Sequence, residues 1–319
     1  MLSHFKFETT ANKAAEALST NIKGKTVLIT GATIGGLGFE TARAISHHSP
    51  KLLILAGRNS KNNDDAKAAL LKESPDVEVR TLLLDLGSFA KVREAAEVVR
   101  GWDEGLVVDV LVNNAAIKYN KTVDGIEDKF ATNHLGVFLF TNLILDRMIK
   151  AGAGARIIVL SSRGHQRSEI RWDNWNWSDG KTYDAPQAYG QSKTANILFA
   201  VFLALKLISK GILAYSVHPG GIATNLGRQL PVEELRKMGV LNKDDKPIDT
   251  AYLRWKSIPQ GASRTVVAAF DPSIVDRSGA YLQDGHIDDE AVAAYASDMG
   301  NAEKLWKVSE ELVGQEFSL

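Results

Sequence analysis

Residues 26–46 read TVLITGATIGGLGFETARAIS: a short apolar run, a glycine-rich turn and then the spacing of a helix. Four glycines, Gly31, Gly35, Gly36 and Gly38, lie between the run and the helical pattern. Such a turn lets backbone approach a phosphate at a helix amino terminus, where free N–H groups and the helix dipole favour anions. The spacing departs from the common G-x-G-x-x-G string, so ordinary loop glycines are the alternative. The strand before the turn and the helix after it favour nucleotide binding.

Short apolar runs rich in Val, Ile and Leu alternate with amphipathic segments along the chain. The runs are TVLIT from residue 26, LLILA from 52, VEVRTLLL from 77, VVDVLV from 107, RIIVLS from 156 and ILAYSV from 212. This alternation predicts a parallel sheet with helices on both faces. No Pro/Gly/Ser-rich linker, compositional break or internal repeat divides the chain, so we predict one α/β domain over residues 1–319.

The composition favours a globular protein that acts on small molecules. Of 319 residues, 45% are hydrophobic and 24% charged, the formal net charge is zero, and no long run of like charges occurs. This balance argues against nucleic acid and against a polybasic membrane patch. The absence of cysteine excludes disulfides, thiolate metal ligands and cysteine nucleophiles, and no His and carboxylate spacing indicates another metal site. The first residues lack the apolar run of a membrane anchor or secretion signal, so we expect a cytoplasmic protein.

The sequence after the second apolar run reads AGRNSK. Gly57 and Arg58 therefore stand where dinucleotide-binding folds that prefer NAD often carry an acid. An arginine accepts a ribose 2′-phosphate, whereas an acid would repel one. Arg58 indicates NADP(H) as the cofactor, and the alternative is a solvated loop cation.

A helical pattern, AYGQSKTANILFAVFLA, begins at residue 188, and Tyr189 and Lys193 stand four residues apart at its start. This spacing puts a phenol and an ammonium on one face of a helix, within reach of each other or of a shared ligand. From the spacing alone, the pair is either a surface contact or part of an active site.

Seven motifs, taken together and in order, resemble the short-chain dehydrogenase/reductase family. They are the glycine turn at 30–38, DLGS from Asp85, LVNNAA from Leu111, TNHLG from Thr132, VLSS from Val159, YGQSK from Tyr189 and HPGGIATNL from His218. The stretches AYGQSKTANILF, PQGASRTVVAAF and SGAYLQDG are more closely similar to the branch of retinol dehydrogenases, WW-domain oxidoreductases and related carbonyl reductases. The resemblance implies a single doubly wound Rossmann-type domain with a mostly parallel, seven-stranded sheet.

The resemblance implies a catalytic tetrad of Asn133, Ser162, Tyr189 and Lys193. A phenol with a pKa of about 10 is a poor general acid or base at neutral pH, and a cation held beside Tyr189 would lower that pKa. In the family the lysine also holds the nicotinamide ribose, the serine donates to the substrate oxygen and the asparagine holds a water on the proton path. Taken singly, these residues are also compatible with a strand end, a turn cap and a surface pair.

The cofactor-binding residues that the resemblance implies follow the same motifs. They are Gly31, Gly36, Leu37, Gly38, Arg58, Asp85, Leu86, Asn114, Ala115, Tyr189, Lys193, Pro219, Gly220, Ile222 and Thr224. Two features depart from the family pattern: the turn has one more residue between Gly31 and Gly36 than the common form, and NNAA ends in Ala116 where NNAG is usual.

Two segments outside the shared motifs are expected to decide the substrate. One is the insert 163–187 with three tryptophans, which either roof an apolar cavity or only pack the insert onto the body. The other is the segment 222–259, which lacks the regular periodicity of a helix or strand. This irregularity predicts a mobile lid. The substrate-binding residues predicted from these segments and from the tetrad are Ser162, His165, Trp172, Trp175, Trp177, Tyr189, Leu226 and Leu230.

These observations predict an NADPH-dependent enzyme that reduces a ketone or aldehyde on a bulky, apolar small molecule, or runs the reverse oxidation. The alternatives are an NAD-linked alcohol dehydrogenase and a non-catalytic protein that senses NADP(H). The resemblance also raises a homodimer paired through the helices after Thr122 and Ala188. The substrate itself is not determined, because one fold and one tetrad serve many chemistries.

Overall fold

The computed structural model of the protein describes residues 5–117, 124–222, 232–237, 241–246, 248–249 and 254–319. Within these ranges the strands are β1 (Thr26–Thr30), β2 (Leu52–Gly57), β3 (Val79–Leu83), β4 (Val110–Asn113), β5 (Arg156–Leu160), β6 (Leu213–Val217), β7 (Gly221–Ile222), β8 (Trp255–Lys256), β9 (Tyr281–Gln283) and β10 (His286–Ile287).

The helices in the same ranges are α1 (Ala11–Ala17), α2 (Ser19–Ile22), α3 (Leu37–Ser46), α4 (Ser60–Glu73), α5 (Phe89–Arg100), α6 (Asp128–Phe130), α7 (Gly136–Leu143), α8 (Leu145–Ile149), α9 (Ala185–Leu207), α10 (Val232–Lys237), α11 (Ile258–Phe270), α12 (Ala294–Ser297) and α13 (Met299–Val313). A π-helical turn, Ala131–Leu135, precedes α7. Turns of 3₁₀ helix cover Arg163–Arg167, Ile208–Lys210, Pro272–Arg277 and Asp289–Ala291.

Among the described strands, eight form one sheet in the order β10-β9-β6-β5-β4-β1-β2-β3. Seven run parallel, and β10 pairs antiparallel with β9. The predicted, mostly parallel α/β sheet is confirmed, and the predicted number of strands is one short. Strand β10 is connected to β9 by a turn formed by Asp284 and Gly285. Their φ values of 51° and 89° suit a two-residue Asp-Gly hairpin turn.

Most of the buried hydrophobic residues form two large clusters, one on each face of the sheet, and a small third cluster contains Ile197, Tyr281 and Ala296. Helices α5, α7, α9 and α13 contribute to the first cluster, and α1, α3, α4 and α11 to the second. Alternate residues of each strand supply the two clusters, as Ala214 and Tyr215 do in β6. Burial on both faces explains why the strands read as nearly continuous apolar runs.

Helix α9 runs through the first cluster, and nearly all of its residues from Ala188 to Ala204 are buried. It begins after Asp184, whose Oδ1 accepts the N–H of Gln187 at 2.8 Å. Among the described residues, Ala185–Lys210 is the segment whose length and composition would allow it to cross a membrane, but 72% of its apolar window is buried inside the protein. Burial of this extent is typical of a core helix.

Helix α13 lies across α7 and α9. The ring of Trp306 stacks on Phe202 with centroids 4.6 Å apart and meets Phe138 edge-on at 4.7 Å. Ser309 Oγ lies 2.8 Å from His134 Nε2. The helices through which two chains are expected to pair are therefore partly covered by the chain itself, and the homodimer stays a prediction.

The strand order reverses beside β1, because β2 and β3 continue to one side and β4, β5 and β6 to the other. Open α/β sheets bind their ligands outside the carboxyl ends of the strands at such a point. The predicted cofactor and catalytic residues follow these strands, so the fold brings them to one edge.

Gly136 marks a backbone contact on which this edge depends. A Cβ added there would lie 2.1 Å from the carbonyl oxygen of Leu86. Because backbone would have to move, we expect Gly136→Ala to lower the free energy of unfolding by about 3 kcal/mol or more. The matched control is Gly105→Ala, at an exposed position where an added Cβ meets no atom within 4 Å. Urea unfolding of the two variants measures the difference, and equal stability would contradict this packing.

Candidate active site

The glycine turn packs directly against the segment that follows β4. Gly31 has φ +70°, and a Cβ added there would lie 2.8 Å from Ala115 Cα. A Cβ added at Gly38 would lie 2.6 Å from Asn114 Nδ2 and 2.9 Å from the Gly31 carbonyl oxygen. These contacts admit only glycine and leave a backbone cradle at the start of α3, which fits the phosphates of a dinucleotide.

Asn114 stabilises this cradle by hydrogen bonds to the backbone of the turn. Its Nδ2 donates to the carbonyl oxygens of Thr30 at 2.8 Å and Gly31 at 3.1 Å. The backbone N–H groups of Asn114 and Ala115 each donate to Thr30 Oγ1 at 3.0 Å. The predicted cofactor pair Asn114 and Ala115 therefore fixes the shape of the turn, and their contact with a cofactor stays a prediction.

Leu37 and Ile222 meet beside the amino end of α3. A Cβ added at Gly261 of α11 would lie 2.0 Å from Ile222 Cδ1 and 3.0 Å from Leu37 Cδ2, so both side chains pack on this glycine. Pro219 and Gly220 lead into β7, which contains Ile222. Leu37 and Ile222, which lie far apart in the chain, thus meet at one end of the glycine turn.

The residues after β2 and β3 complete the cofactor side of the edge. Arg58 is exposed between β2 and α4 and has no ion-pair partner within the described ranges. Asp85 Oδ1 accepts the N–H of Gly87 at 3.0 Å. Leu86 is 4% exposed, so its side chain belongs to the core and only its backbone is available at this edge.

Lys193 is anchored to the end of β5. Its Nζ donates to the carbonyl oxygen of Leu160 at 2.9 Å and lies 5.7 Å from the ring centroid of Tyr189. Asn196 Nδ2 donates to the same carbonyl at 2.9 Å, and Ser161 Oγ donates to the Lys193 carbonyl at 2.8 Å. The helical spacing of Tyr189 and Lys193 is thus held against the sheet, and the lysine is 2% exposed.

Ser162 and Tyr189 meet because Gly164 lies between them. Ser162 caps the 3₁₀ turn Arg163–Arg167, and its Oγ accepts the N–H of Gly164 at 3.1 Å. A Cβ at Gly164 would lie 3.0 Å from Tyr189 Cε1 and 3.4 Å from Ser162 Oγ. The sequence did not reveal the role of Gly164. A single glycine after a strand does not indicate which side chain will pack against it.

The electrostatics of Tyr189 differ from the prediction. Burial of the phenol raises its pKa, while a hydrogen bond with Ser162 and the positive charge of Arg167 act in the opposite direction. The net direction is therefore opposite to the one expected from Lys193. In the protein alone, Tyr189 is a neutral phenol that holds its proton.

Asn133 lies in the π-helical turn and is completely buried. Its Nδ2 donates to the Ile117 carbonyl and to Ser192 Oγ, both at 3.1 Å, and its Oδ1 accepts the Ile117 N–H at 2.7 Å. Ser192 Oγ in turn donates to the Tyr189 carbonyl at 2.8 Å. The side chain ties the segment after β4 to α9, and its predicted role in holding a water stays a prediction. Isolated π-turns are common at functional sites.

The prediction that His165 lines the substrate pocket is wrong, because its ring is 0% exposed. The Ala293 N–H donates to His165 Nε2 at 3.2 Å, so Nδ1 carries the proton and donates to the Ser162 carbonyl at 2.8 Å. Burial lowers the pKa of His165, which favours this neutral ring. The Tyr295 hydroxyl donates to the His165 carbonyl at 2.8 Å. His165 therefore stabilises the backbone of Ser162 through the hydrogen bond from its Nδ1.

The tryptophans of the insert pack onto the protein body. Trp177 is 1% exposed, and Arg171 Cζ lies 4.1 Å from its ring centroid. Trp175 stacks on Phe130 with centroids 6.4 Å apart, and Trp172 and Trp175 are half-buried against the first cluster. The prediction that Trp177 lines a substrate cavity is wrong, since a buried ring offers no surface. Trp172 and Trp175 pack against the body, and their contact with a substrate stays a prediction.

A buried charged cluster joins the insert to the turn that carries Asn133. Lys129 is 1% exposed, contacts the Tyr183 hydroxyl and lies 3.8 Å from Glu127 Oε1. The Tyr183 hydroxyl donates to Glu127 Oε1 at 3.3 Å. Burial raises the pKa of Glu127 and lowers that of Lys129. Sequence reasoning missed this cluster, because a short charged stretch reads as solvated until another segment covers it.

Three predicted residues, Thr224, Leu226 and Leu230, lie outside the described residues. Of the predicted lid, the described parts include β7, β8 and α10. β7 and β8 pair in parallel, Gly221 with Trp255 and Ile222 with Lys256, so the two ends of the lid segment meet beside the cofactor edge. Closure of the lid stays a prediction.

Comparison with known proteins agrees with this geometry. A model of the short chain dehydrogenase family matches residues 25–175. The chloroplastic short-chain dehydrogenase TIC 32 A of Brassica napus is 36% identical over 307 residues, which cover 92% of this chain and 90% of that protein. The chain belongs to the short-chain dehydrogenase family. Human retinol dehydrogenase 13 is 36% identical over 299 residues, covering 92% of this chain and 86% of the relative.

The solved structures include a crystal structure of an uncharacterized protein from Mycobacterium Paratuberculosis. It has a TM-score of 0.69 and 30% sequence identity, and the match covers 94% of this chain and 98% of that one. As a short-chain dehydrogenase, the protein is an oxidoreductase that acts on alcohols or carbonyl compounds with a nicotinamide cofactor. The cradle formed by Gly31 and Gly38 fits such a cofactor.

Tyr189→Phe keeps the ring and removes the transferable proton. We expect carbonyl reduction to slow by about 100-fold or more, because no other described side chain replaces this acid at Ser162. Thermal unfolding should change little. Tyr215→Phe is the control, since the Tyr215 hydroxyl donates to the Ile274 carbonyl at 2.6 Å on the opposite face of the sheet. Near wild-type turnover by Tyr189→Phe would place the acid elsewhere.

The raised pKa of Tyr189 also predicts the pH dependence of the two directions. A raised pKa keeps the phenol protonated through neutral pH, so the rate of carbonyl reduction should be flat there and fall only in the alkaline range. Alcohol oxidation needs the phenolate and should rise over that same alkaline range. Steady-state rates measured in both directions test this. A fall of the reduction rate already below neutral pH would contradict the assignment.

Proposed function

We propose that the enzyme is NADPH-dependent and reduces a ketone or aldehyde carried by a bulky, apolar small molecule, or oxidises the corresponding alcohol. One observation carries the choice of cofactor: Arg58 is exposed, without an ion-pair partner among the described residues, at the carboxyl end of β2. A guanidinium in this place can form a bidentate, charge-assisted contact with a ribose 2′-phosphate. No acid competes for this position, because Gly57 precedes Arg58 and Asn59 follows it.

Within this proposal the side chains of the site have distinct tasks. When bound, the cofactor supplies the hydride. Tyr189 transfers its proton to the substrate oxygen, and Ser162 donates a hydrogen bond to that oxygen as negative charge grows on it. Lys193, bonded to the Leu160 carbonyl, keeps a positive charge beside the phenol. This charge favours the phenolate that remains after the proton leaves.

The proposed substrate class has two supports. The relatives with about one third identity include retinol dehydrogenases 13, 12 and 14, whose names specify an apolar alcohol. The segment 222–259 keeps apolar residues although it lacks regular periodicity. Burial of a small polar substrate against such residues would leave its hydroxyl groups without partners.

The cofactor proposal is tested by Arg58→Ala. Loss of a charge-assisted contact costs about 1.5–3 kcal/mol, so NADPH affinity should fall about tenfold or more while NADH affinity stays nearly constant. Lys51→Ala, which removes a charge at the opposite end of β2, is the matched control and should affect neither cofactor. Titration of cofactor fluorescence measures both constants. Equal losses for NADPH and NADH in Arg58→Ala would refute the assignment.

The substrate class is tested with aldehydes of increasing apolar size, from glyceraldehyde to retinal, under NADPH. Each buried methylene contributes about 0.8 kcal/mol, so kcat/KM should rise by more than tenfold between small hydroxylated and large apolar aldehydes. A flat series, or a preference for the hydroxylated aldehydes, would contradict the proposal. The NADPH affinity of the same preparation shows whether the cofactor assignment stands independently.

A further inference from the structure

A row of side chains crosses four strands just below the catalytic edge. Asn113 of β4 pairs in register with Val159 of β5, Val159 with Ser216 of β6, and Ser216 with Tyr281 of β9. Residues paired in register point to the same face of the sheet, which here is the face covered by α9. Three of the four side chains are polar, and each of these is at most 1% exposed.

Each polar side chain of this row has an atom without a hydrogen-bond partner among the described residues. These atoms are Asn113 Oδ1, Ser216 Oγ and Tyr281 Oη, and Asn196 Oδ1 of α9 adds a fourth. Folded proteins seldom leave such atoms unpaired, and ordered water is their usual partner when protein supplies none. The two amide oxygens are acceptors, and the two hydroxyls can both donate and accept. Bridging waters would therefore supply a hydrogen-bond partner for each of the four atoms.

Two contacts, one made by Asn196 of α9 and one by Tyr281 of the row, lead from these side chains toward catalytic residues. Asn196 Nδ2 and Lys193 Nζ donate to one carbonyl, that of Leu160, so the amide and the ammonium share an acceptor. On the other side, the Tyr281 ring lies edge-on to His165 with centroids 5.5 Å apart. His165 donates to the Ser162 carbonyl at 2.8 Å.

We propose that Asn113, Asn196, Ser216 and Tyr281 form a binding site for ordered water beneath α9, and that this hydrated layer positions Lys193 and Ser162. The waters bridge the amide oxygens and hydroxyls, fix the Asn196 amide and thereby fix the ammonium on Leu160. The four residues are positioning residues, since none of them is placed in contact with the reacting atoms. The positioning role rests on the proposed reaction, whereas the water site does not.

The test compares Tyr281→Phe, Ser216→Ala and the double variant with Tyr215→Phe as matched control. Removing a hydrated hydroxyl breaks bridging bonds, so each single variant should lower the melting temperature, and the double variant should lose less than the sum because the waters are shared. In a dry layer, removal of an unpaired hydroxyl would instead raise the melting temperature or leave it unchanged, which would overturn the proposal.

A high-resolution crystal structure should show water within hydrogen-bond distance of Ser216 Oγ and Tyr281 Oη. Direct side-chain bonds in place of water would also overturn it.

Turnover of an apolar aldehyde tests the positioning role. Tyr281→Phe and Ser216→Ala should lower kcat about tenfold with little change in KM, because small misplacements of reacting groups carry large rate costs. The apparent pKa in their kcat profile should also shift. Tyr215→Phe, which loses a bond on the other face, should lose stability but keep both kcat and the profile. Lower melting temperatures with unchanged kcat and profile would overturn positioning while the water site stands. If no aldehyde is turned over by the wild type, the proposed reaction fails, and the melting temperatures and density still decide the water site.

Discussion

The site depends on the carbonyl of Leu160, the last residue of β5, which accepts hydrogen bonds from Lys193 Nζ and Asn196 Nδ2 at 2.9 Å each. These bonds attach α9 to the sheet at the edge where an open α/β fold binds ligands. Because Tyr189 lies one helical turn before Lys193, the same attachment fixes the phenol. A buried ammonium held in this way has little freedom, so the fold presents the two groups at a fixed spacing rather than as mobile surface residues.

Burial of α9 has an electrostatic consequence as well as a geometric one. The apolar surroundings of the buried helix disfavour a phenolate and raise the pKa of Tyr189. The protein alone therefore presents a proton donor, which suits reduction of a carbonyl. Ser162 opposes the effect of burial through its hydrogen bond, and His165 holds the Ser162 backbone at 2.8 Å. The acid and its partner are thus supported from opposite sides, one by the sheet and one by the C-terminal segment.

Close backbone approach recurs wherever the site is assembled. The missing Cβ of Gly31 admits Ala115, that of Gly136 admits the Leu86 carbonyl, and that of Gly164 admits the Tyr189 ring. In each case the contact joins segments that are separated along the chain. An added methyl group would displace backbone at Gly31 and Gly136 and the Tyr189 ring at Gly164. Gly31 has a positive φ, which gives it a second reason to be glycine. The other two are glycine for space alone.

Local patterns in the sequence determined the parallel sheet, helix α9, the family and the positions of Asn133, Ser162, Tyr189 and Lys193, because apolar periodicity, helical spacing and motif order are all read from neighbouring residues. Other features were wrong or missed. His165 and Trp177 read as pocket residues, yet both are buried, one beneath Ala293 and the other within the insert. The tertiary structure alone decided which polar groups lose water and which partners they gain. Those properties set pKa values and side-chain roles, and they arise from contacts between segments that lie far apart in the chain.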